Sequence, residues 1–533
     1  MPRLTRPVCG WDCNGFMTFK KRIMKIKYSI LSILLGAAAF SGCQNLTEDP
    51  KANLTPGTYF KTQSDLDGAV SAIYVQFARD GAWGFTNRST SYFGSDDFTT
   101  DPGLNKEDFR LFDRLSGGSG NLSMVAQWQG PWQGIYQANN VIANYAKVNS
   151  TDEQKNQSAG QAYFLRALGY YYLVRTFGPV PVILTPIDVD DRPDRDPIEK
   201  VYEAIIADLQ KAKEMLPVKF DGAPGKADQM AARSLLADVY LTMTGWPLNQ
   251  TANYAQAAAE ADAVMKSAQF NLSTPYAQVF TTNNGPESIF GLQYNVNGGL
   301  PLRSAGSSCV PLDEVATNGS SGWDDYYPEI NFYKKAPKCK RTDDTFYTTL
   351  KLRQPDGKTF KLVSWDSPET HARHPYYKKF RAGLNGDGVS ETETAINSIN
   401  PSTNKVYDII RYPLVLLAYA EASAMSGGGP TAASYAAINE VRKRAGLPNL
   451  TPGLSATAFR DSVVYERAYE FAGEFGVRWF DIVRLQLLPK IVAERSAEEN
   501  PIPANTNFAQ KYLAPIPVNE MARNPKWQQN EGY

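Results

Sequence analysis

Histidine is nearly missing from this chain, with two residues, His371 and His374, among 533. Imidazole is the side chain whose charge turns over near neutral pH, so acid–base chemistry built on histidine is disfavoured. The two stand three apart beside Pro375. A zinc site needs at least one or two further ligands, so the pair reads as a solvated loop pair with no metal and no cofactor. The chain also lacks G-x-S-x-G, a phosphate-cradling G-x-x-x-x-G-K-[ST] and H-E-x-x-H, which removes the common signatures of hydrolase, nucleotide and metalloprotease chemistry. Net charge is absent too: 55 basic residues face 55 acidic ones, with no basic stripe. Nucleic acid is therefore not an expected partner, because its affinity comes mainly from cation–phosphate contacts. Beyond the N-terminal segment no apolar run approaches the ~20 residues that cross a bilayer. What is present, 43% apolar, 12% aromatic and 21% charged residues, is a globular composition. The length suits about three domains or one long helical-repeat unit.

Lys25 and Lys27 precede an apolar run from Tyr28 to Phe40, followed by Ser41, Gly42 and Cys43. A charged start, a short apolar core and small residues describe a secretory signal. Met24 lies directly before it, so residues 1–23 read as an over-called start and 24–42 as the signal. Phe40-Ser41-Gly42-Cys43 resembles a bacterial lipobox, with Phe40 where Leu is usual, which would make Cys43 the lipidated mature N-terminus; the alternative is an ordinary secretory signal with a chance cysteine. Acyl chains contribute ~0.8 kcal/mol per buried CH₂, so several on one cysteine anchor stably. Removing residues 1–42 takes away seven cations and one anion, so the 55 of each sign become 48 and 54, a net charge of −6. Cys309 and Cys339 then either pair in an oxidising compartment or stay as thiols. Residues 43–58, with Pro50 and Pro56, read as a tether.

Helical periodicity begins at Ser64, a candidate N-cap, with Leu66, Ala69, Val70, Ile73, Tyr74 and Phe77 on one face. Further helices are expected around Trp128–Ile142, over 154–176 before Gly178-Pro179, from Asp196-Pro197 to Leu216, and over 226–244. Two segments 181 positions apart repeat each other: Leu235-Leu236-Ala237 leads to Tyr254-Ala255, and Leu416-Leu417-Ala418 leads to Tyr435-Ala436, with equal spacing. Each combines a helix, a Gly- or Pro-bearing turn and an Ala-rich second helix. Small residues let paired helices approach, and Tyr and Leu fill the seam, as in tetratricopeptide hairpins. Residues 161–177 supply a weaker third copy.

Residues 270–405 differ. Gly, Asn, Ser, Pro and Thr rise, aromatics cluster, and β-like runs occur at 288–294 and 359–365. This predicts a mostly α fold of tetratricopeptide-like hairpins, with a helical part over 59–269, a loop-rich insertion lobe with a few short strands over 270–405, and a second helical part over 406–533. Loops on a rigid scaffold commonly carry binding function.

The C-terminal part contains Ile438-Asn439-Glu440-Val441-Arg442-Lys443-Arg444-Ala445-Gly446-Leu447-Pro448, then Glu466-Arg467, Arg478-Trp479-Phe480-Asp481, Tyr512-Leu513-Ala514-Pro515 and a closing Gln529-Asn530-Glu531-Gly532-Tyr533. Together with the lipobox and the hairpins, these resemble the SusD/RagB family of outer-membrane lipoproteins. Ala468-Tyr469 stands where that family often has charge, and Glu531 where proline is usual. The resemblance implies a lipid-anchored protein on the outer face of the outer membrane. It would capture an oligosaccharide or another polymer fragment and deliver it to a SusC-like TonB-dependent barrel, without catalysis.

The residues themselves fit a binding site better than an active site. Glu466, Glu470 and Glu474 share one helix face; like charges at that spacing repel, so they need cations such as Arg467, Arg478, Arg484 or others on neighbouring helices, and read as an ion-pair lock. Asp96-Asp97 and Asp324-Asp325 place acids beside aromatics, but nothing separates an acid from a base across a sugar. Trp and Tyr can stack on sugar C–H faces while Asp, Asn and Arg satisfy hydroxyls. The candidate platform is Trp83 with Asn87, and Trp323 with Asp324 and Tyr326, with Trp365 in reserve. Each ring is equally compatible with core packing, and Trp128, Trp132 and Trp479 at helical spacing read as core. A surface glycoside hydrolase and a ligand-free protein adaptor are the competing classes.

Overall fold

Alanine-rich helices packed at close range organise the molecule. The computed structural model describes residues 59–533 apart from 102, 187–191, 304, 382–395, 397, 400, 401 and 475. The start, signal, Cys43 and tether read from the sequence lie outside these residues. Helices α1 (Gln63–Ala78), α2 (Glu107–Asp113) and α3 (Leu122–Asn144) lead into three successive hairpins. These are α4 (Asp152–Phe177) with α5 (Ile198–Met215), α6 (Gln229–Met243) with α7 (Asn253–Lys266), and α10 (Tyr412–Ser426) with α11 (Ala432–Ala445). Between α7 and α10 come the short helices α8 (Ile330–Lys334) and α9 (Lys340–Thr345). After α11 follow α12 (Ala456–Glu470), α13 (Val477–Arg484) and α14 (Leu488–Ala493). No helix of the described residues is long and apolar enough to cross a membrane.

The two strong sequence repeats become adjacent hairpins. α7 packs directly on α10 although 145 residues separate Lys266 from Tyr412. In the seam Tyr254 and Ala257 of one hairpin meet Ala418 and Ala422 of the next, and Tyr435 sets its ring edge-on to Phe459 at 4.9 Å. A larger residue at Ala418 or Ala422 would push the hairpins apart, since close-packed interiors tolerate little added volume. Near the N-terminal end a Cβ on Gly134 would come within 2.6 Å of the Phe77 ring, so glycine there permits the approach of α1 to α3. The first helix is capped by Thr62, which accepts from the Asp65 amide in a capping box; Ser64, expected as the cap, sits inside the first turn.

The segment between α7 and α10 is loop-rich with four two-stranded antiparallel pairs among the described residues, two of them the short pairs β2 (Leu302–Arg303) with β7 (Ser402–Thr403) and β3 (Phe346–Tyr347) with β6 (Tyr376–Tyr377). β1 (Ser288–Leu292) pairs with β8 (Tyr407–Arg411), bringing the two ends of the segment together beneath the hairpins. β4 (Thr349–Arg353) and β5 (Phe360–Ser364) form a hairpin in register Thr349↔Ser364 to Arg353↔Phe360. Cys309 is buried and Cys339 half-buried, and they are not joined in a disulfide.

The lock expected from the three glutamates exists, with partners other than those nearest in sequence, but α12 ends at Glu470, so Glu474 lies in the turn that follows and not on the same helix face. Arg341 of α9 reaches Glu466 at 2.6 Å and Glu470 at 3.1 Å. Arg411, at the end of β8, pairs with Glu287, Glu470 and Glu474 at 2.9–3.0 Å. Arg444 of α11 pairs with Glu470 and Glu287, Arg442 with Glu466, and Lys379 with Glu474. Arg467, Arg478 and Arg484 serve other acids: Asp481, Asp96, and Glu421 with Asp481. Burial alone would raise the Glu470 carboxyl, but Arg444, Arg411 and Arg341 hold it down at about 2. Such a group contributes stability above its unfolded pKa near 4.5, and that contribution is lost as pH falls from there through about 2. Removing one partner from a buried ion pair costs about 3–5 kcal/mol, because it strands the other charge. Glu470→Ala is therefore expected to destabilise the protein by about that amount in urea titration near neutral pH, with a smaller penalty when wild type and variant are compared toward pH 2; an equal penalty at both pH values would refute the assigned role.

Candidate functional site

The loop from Ser307 to Tyr327 sorts its side chains into inward and outward sets. Trp323 N–H donates to Ser307 O at 2.8 Å and Asp325 N–H to Ser308 O at 2.7 Å, pinning the strand-like segment against the preceding turn. Gly322 sits so close that a Cβ would come within 2.0 Å of Val310 O. Asp324 then adopts φ +56°, in the left-handed region, a conformation that costs a non-glycine residue energy and is kept only where surroundings enforce it. Its carboxylate is buried, accepting from Tyr376 Oη at 2.6 Å and lying 3.2 Å from His371 Nδ1. Asp325 turns inward to Lys106 and to Ser308 Oγ. Trp323 stays half-buried, its ring 6.2 Å from that of Phe85.

His371 is the polar centre beside Asp324. Its Nδ1 lies 3.0 Å from Asp101 and 3.2 Å from Asp324, while 49% of its side chain remains exposed. One oxygen from each carboxylate and this ring nitrogen lie within 4.8 Å of one another, so the three side chains could hold a metal ion. The imidazolium itself satisfies the same two carboxylates. The hydrogen bond to Asp324 and the charges of Asp101, Asp324 and Asp313, against some desolvation, raise His371 to about 9. The ring is therefore cationic at neutral pH and can donate its remaining N–H outward.

The predicted platform is divided by the structure. Trp83 is 1% exposed and wedged edge-on between Phe77 and Tyr172 at 4.9 and 4.8 Å, so it is core. Tyr326, at 2% exposure, packs among Phe93, Phe98 and Tyr377 and is likewise closed to a ligand. Asn87 lies in the 3-10 turn Thr86–Tyr92, and its side chain is outside the described residues. Trp365 is half-buried against Tyr333 at 5.8 Å, on the loop that leads through Thr370 to His371. Trp323 and Asp324 remain together. Phe85, Asp101 and His371 escaped the sequence reading. Extreme histidine scarcity was the available signal for His371, and the solvated-loop reading of the pair is corrected: His374 is buried, its ring 4.3 Å from that of Tyr327 and tilted 30° to it, with Nε2 2.9 Å from Glu499.

The carboxylates weighed as catalytic are engaged. Asp96 takes a bidentate pair from Arg478, both contacts 2.7 Å. Asp97, pushed up to about 6 by burial, accepts from Ser95 Oγ and the Gly473 amide.

A stack of tetratricopeptide-like hairpins that carries a loop-built lobe with half-exposed aromatic rings defines a class of helical binding scaffolds. The comparisons with known proteins place the chain within that class. The SusD family model matches residues 367–533, and a second one, described as starch-binding associating with outer membrane, matches 114–241. SusD-like protein P2 of Formosa agariphila is 31% identical over 95% of this chain and all of its own length. A SusD homologue from Bacteroides thetaiotaomicron superposes with a TM-score of 0.76 at 22% identity, covering 90% of this chain and 98% of its own. A laminarin binding SusD-like protein gives 0.71 at 22%, covering 89% and 100%. The chain belongs to the SusD family.

Because the folded-state pKa of His371 lies above its unfolded value near 6.5, its ion pairs are intact below that value and lost as pH rises through about 9. An NMR titration of the His371 ring is expected to give a midpoint near 9 in wild type, moving back toward 6.5 in Asp324→Asn; an unchanged midpoint in the variant would remove Asp324 as the dominant partner.

Proposed function

We propose that this protein is a cell-surface glycan-binding lipoprotein that captures an oligosaccharide and delivers it to a TonB-dependent outer-membrane barrel. The observation that carries the reading is the half-buried Trp323–Phe85 ring pair, on a loop whose next residue, Asp324, pairs with the cationic, half-exposed His371. Flat rings stack on the C–H faces of sugars, and a charged donor beside them satisfies hydroxyls with charge-assisted hydrogen bonds. Family membership supports the carbohydrate class, since the matched relatives include a laminarin binding protein and a family described as starch-binding. The engagement of Asp96, Asp97, Asp324 and Asp325 in ion pairs and hydrogen bonds supports capture and release without bond cleavage. The lipobox-like Cys43 supplies the anchor in this reading.

Calorimetry against a glycan panel tests it. Trp323→Ala is expected to weaken binding of the recognised glycan by about tenfold or more, about 1.4 kcal/mol, with thermal stability nearly unchanged. Trp83→Ala should instead cost about 3–5 kcal/mol of stability as a core truncation. Undiminished glycan affinity in Trp323→Ala would place the site elsewhere, and no affinity for any glycan in wild type would defeat the carbohydrate reading.

A further inference from the structure

A second concavity lies away from the Trp323 loop, where α12 and α14 meet α8. Its volume is about 360 Å³, at the small end of the roughly 300–1,000 Å³ typical of ligand sites. Three aromatic rings climb from its floor to its mouth. Phe332 and Tyr469 are buried and stacked at 4.7 Å, 19° from parallel. Tyr465 sets its ring 4.9 Å from that of Tyr469 and is 45% exposed. Both phenol groups are tied to backbone: Tyr469 Oη donates to Phe332 O at 3.1 Å, and Tyr465 Oη to Lys335 O at 3.0 Å. The half-exposed ring is thus held in one orientation, and a preorganised group loses little entropy on binding.

The charges around the cavity cancel. Four basic and four acidic side chains line it. Arg478 clasps Asp96, Lys335 meets Glu494 at 2.9 Å, and Arg460 meets Asp461 at 2.7 Å. Lys490 alone among the lining cations has no ion-pair partner among the described residues. Glu494 and Asp461 each accept their cation on one carboxylate oxygen, so the second oxygen can accept a hydroxyl. A site for phosphate or another anion would show an excess of cations, and one for a lipid chain would lack this charged wall. A fixed aromatic face ringed by self-neutralised charges matches a neutral polyhydroxylated ligand.

We propose that this cavity is a second carbohydrate site, built on Tyr465, which takes a short neutral saccharide. It deepens the glycan reading and rests on it for the class of probe. On α8, Phe332 faces the cavity while its neighbour Tyr333 touches Trp365.

Saturation-transfer NMR with D-glucose, D-galactose, D-mannose, D-xylose and L-fucose, each at millimolar concentration, tests the site in wild type, Tyr465→Ala, Tyr465→Phe and Trp323→Ala, each variant first shown to melt like wild type. The expected result is at least one sugar whose binding falls about tenfold in Tyr465→Ala, and stays within about twofold of wild type in Tyr465→Phe and Trp323→Ala. A panel in which no sugar depends on Tyr465 overturns the proposal. If binding then vanishes in Trp323→Ala, the glycan reading of the first site survives that failure. Displacement of the Tyr465-dependent sugar by equimolar inorganic phosphate, relieved in Lys490→Gln, would also overturn it by making the cavity an anion site.

Discussion

Glu470 cannot be buried as a carboxylate without several cations, and that requirement ties the molecule together. Taking a charge out of water costs several kcal/mol, which only close, well-oriented partners offset. No single neighbouring element supplies enough of them here. The partners come from α9, from the end of β8 and from α11, so Glu470 at the end of α12 is satisfied only when the loop-rich segment and the hairpins sit in one arrangement. Arg411 is the hinge of this logic. It closes the β1–β8 pair, pairs with Glu287 from the other end of the segment, and precedes the first residue of α10. Phe60 to Tyr533 accordingly form one compact unit, although sequence composition changes sharply within it.

The helical layer was legible because its physics is local. The caps, the 3.6-residue periodicity and the equal Leu-to-Tyr spacing of two hairpins depend on residues close in sequence, and the observed helices start and stop within a few positions of their signals. The β-like runs at 288–294 and 359–365 were found for the same reason, as strands Ser288–Leu292 and Phe360–Ser364. The partners of the glutamate stripe were not legible. Arg467, Arg478 and Arg484 stood nearest in sequence, yet Asp481, Asp96 and Glu421 took them. Charge complementarity between residues 24 to 129 positions apart leaves no periodic trace in one sequence.

The candidate site was half legible for a related reason. Tryptophan beside Asp or Asn signals a sugar platform, but it equally signals a large side chain with a polar neighbour in a core. What decides between them is the backbone. Trp83 follows the end of α1 and turns back under Tyr172, whereas Trp323 sits one residue before a left-handed Asp324 and stays half-buried while the residues after it are buried. Positive φ at a non-glycine residue is not written in the identity Asp, and so the ring that faces out and the ring that faces in look alike in sequence.

The two aromatic surfaces also differ in how their polar groups are held, and that difference bears on ligand choice. Beside Asp324 the charge is concentrated: one imidazolium serves two buried carboxylates, so a ligand that reaches it competes with an ion pair already made. Around Tyr465 nearly every cation is matched by its own acid before a ligand arrives, and the tyrosine ring is the feature left unspent. On the carbohydrate readings proposed above, the first surface selects by a stacked ring and a charged donor, and the second by a fixed tyrosine face with carboxylate oxygens left to accept hydroxyls. The Tyr465 cavity also depends on the short helix α8, which the capping carboxylate of Glu329 holds by accepting from the Phe332 amide.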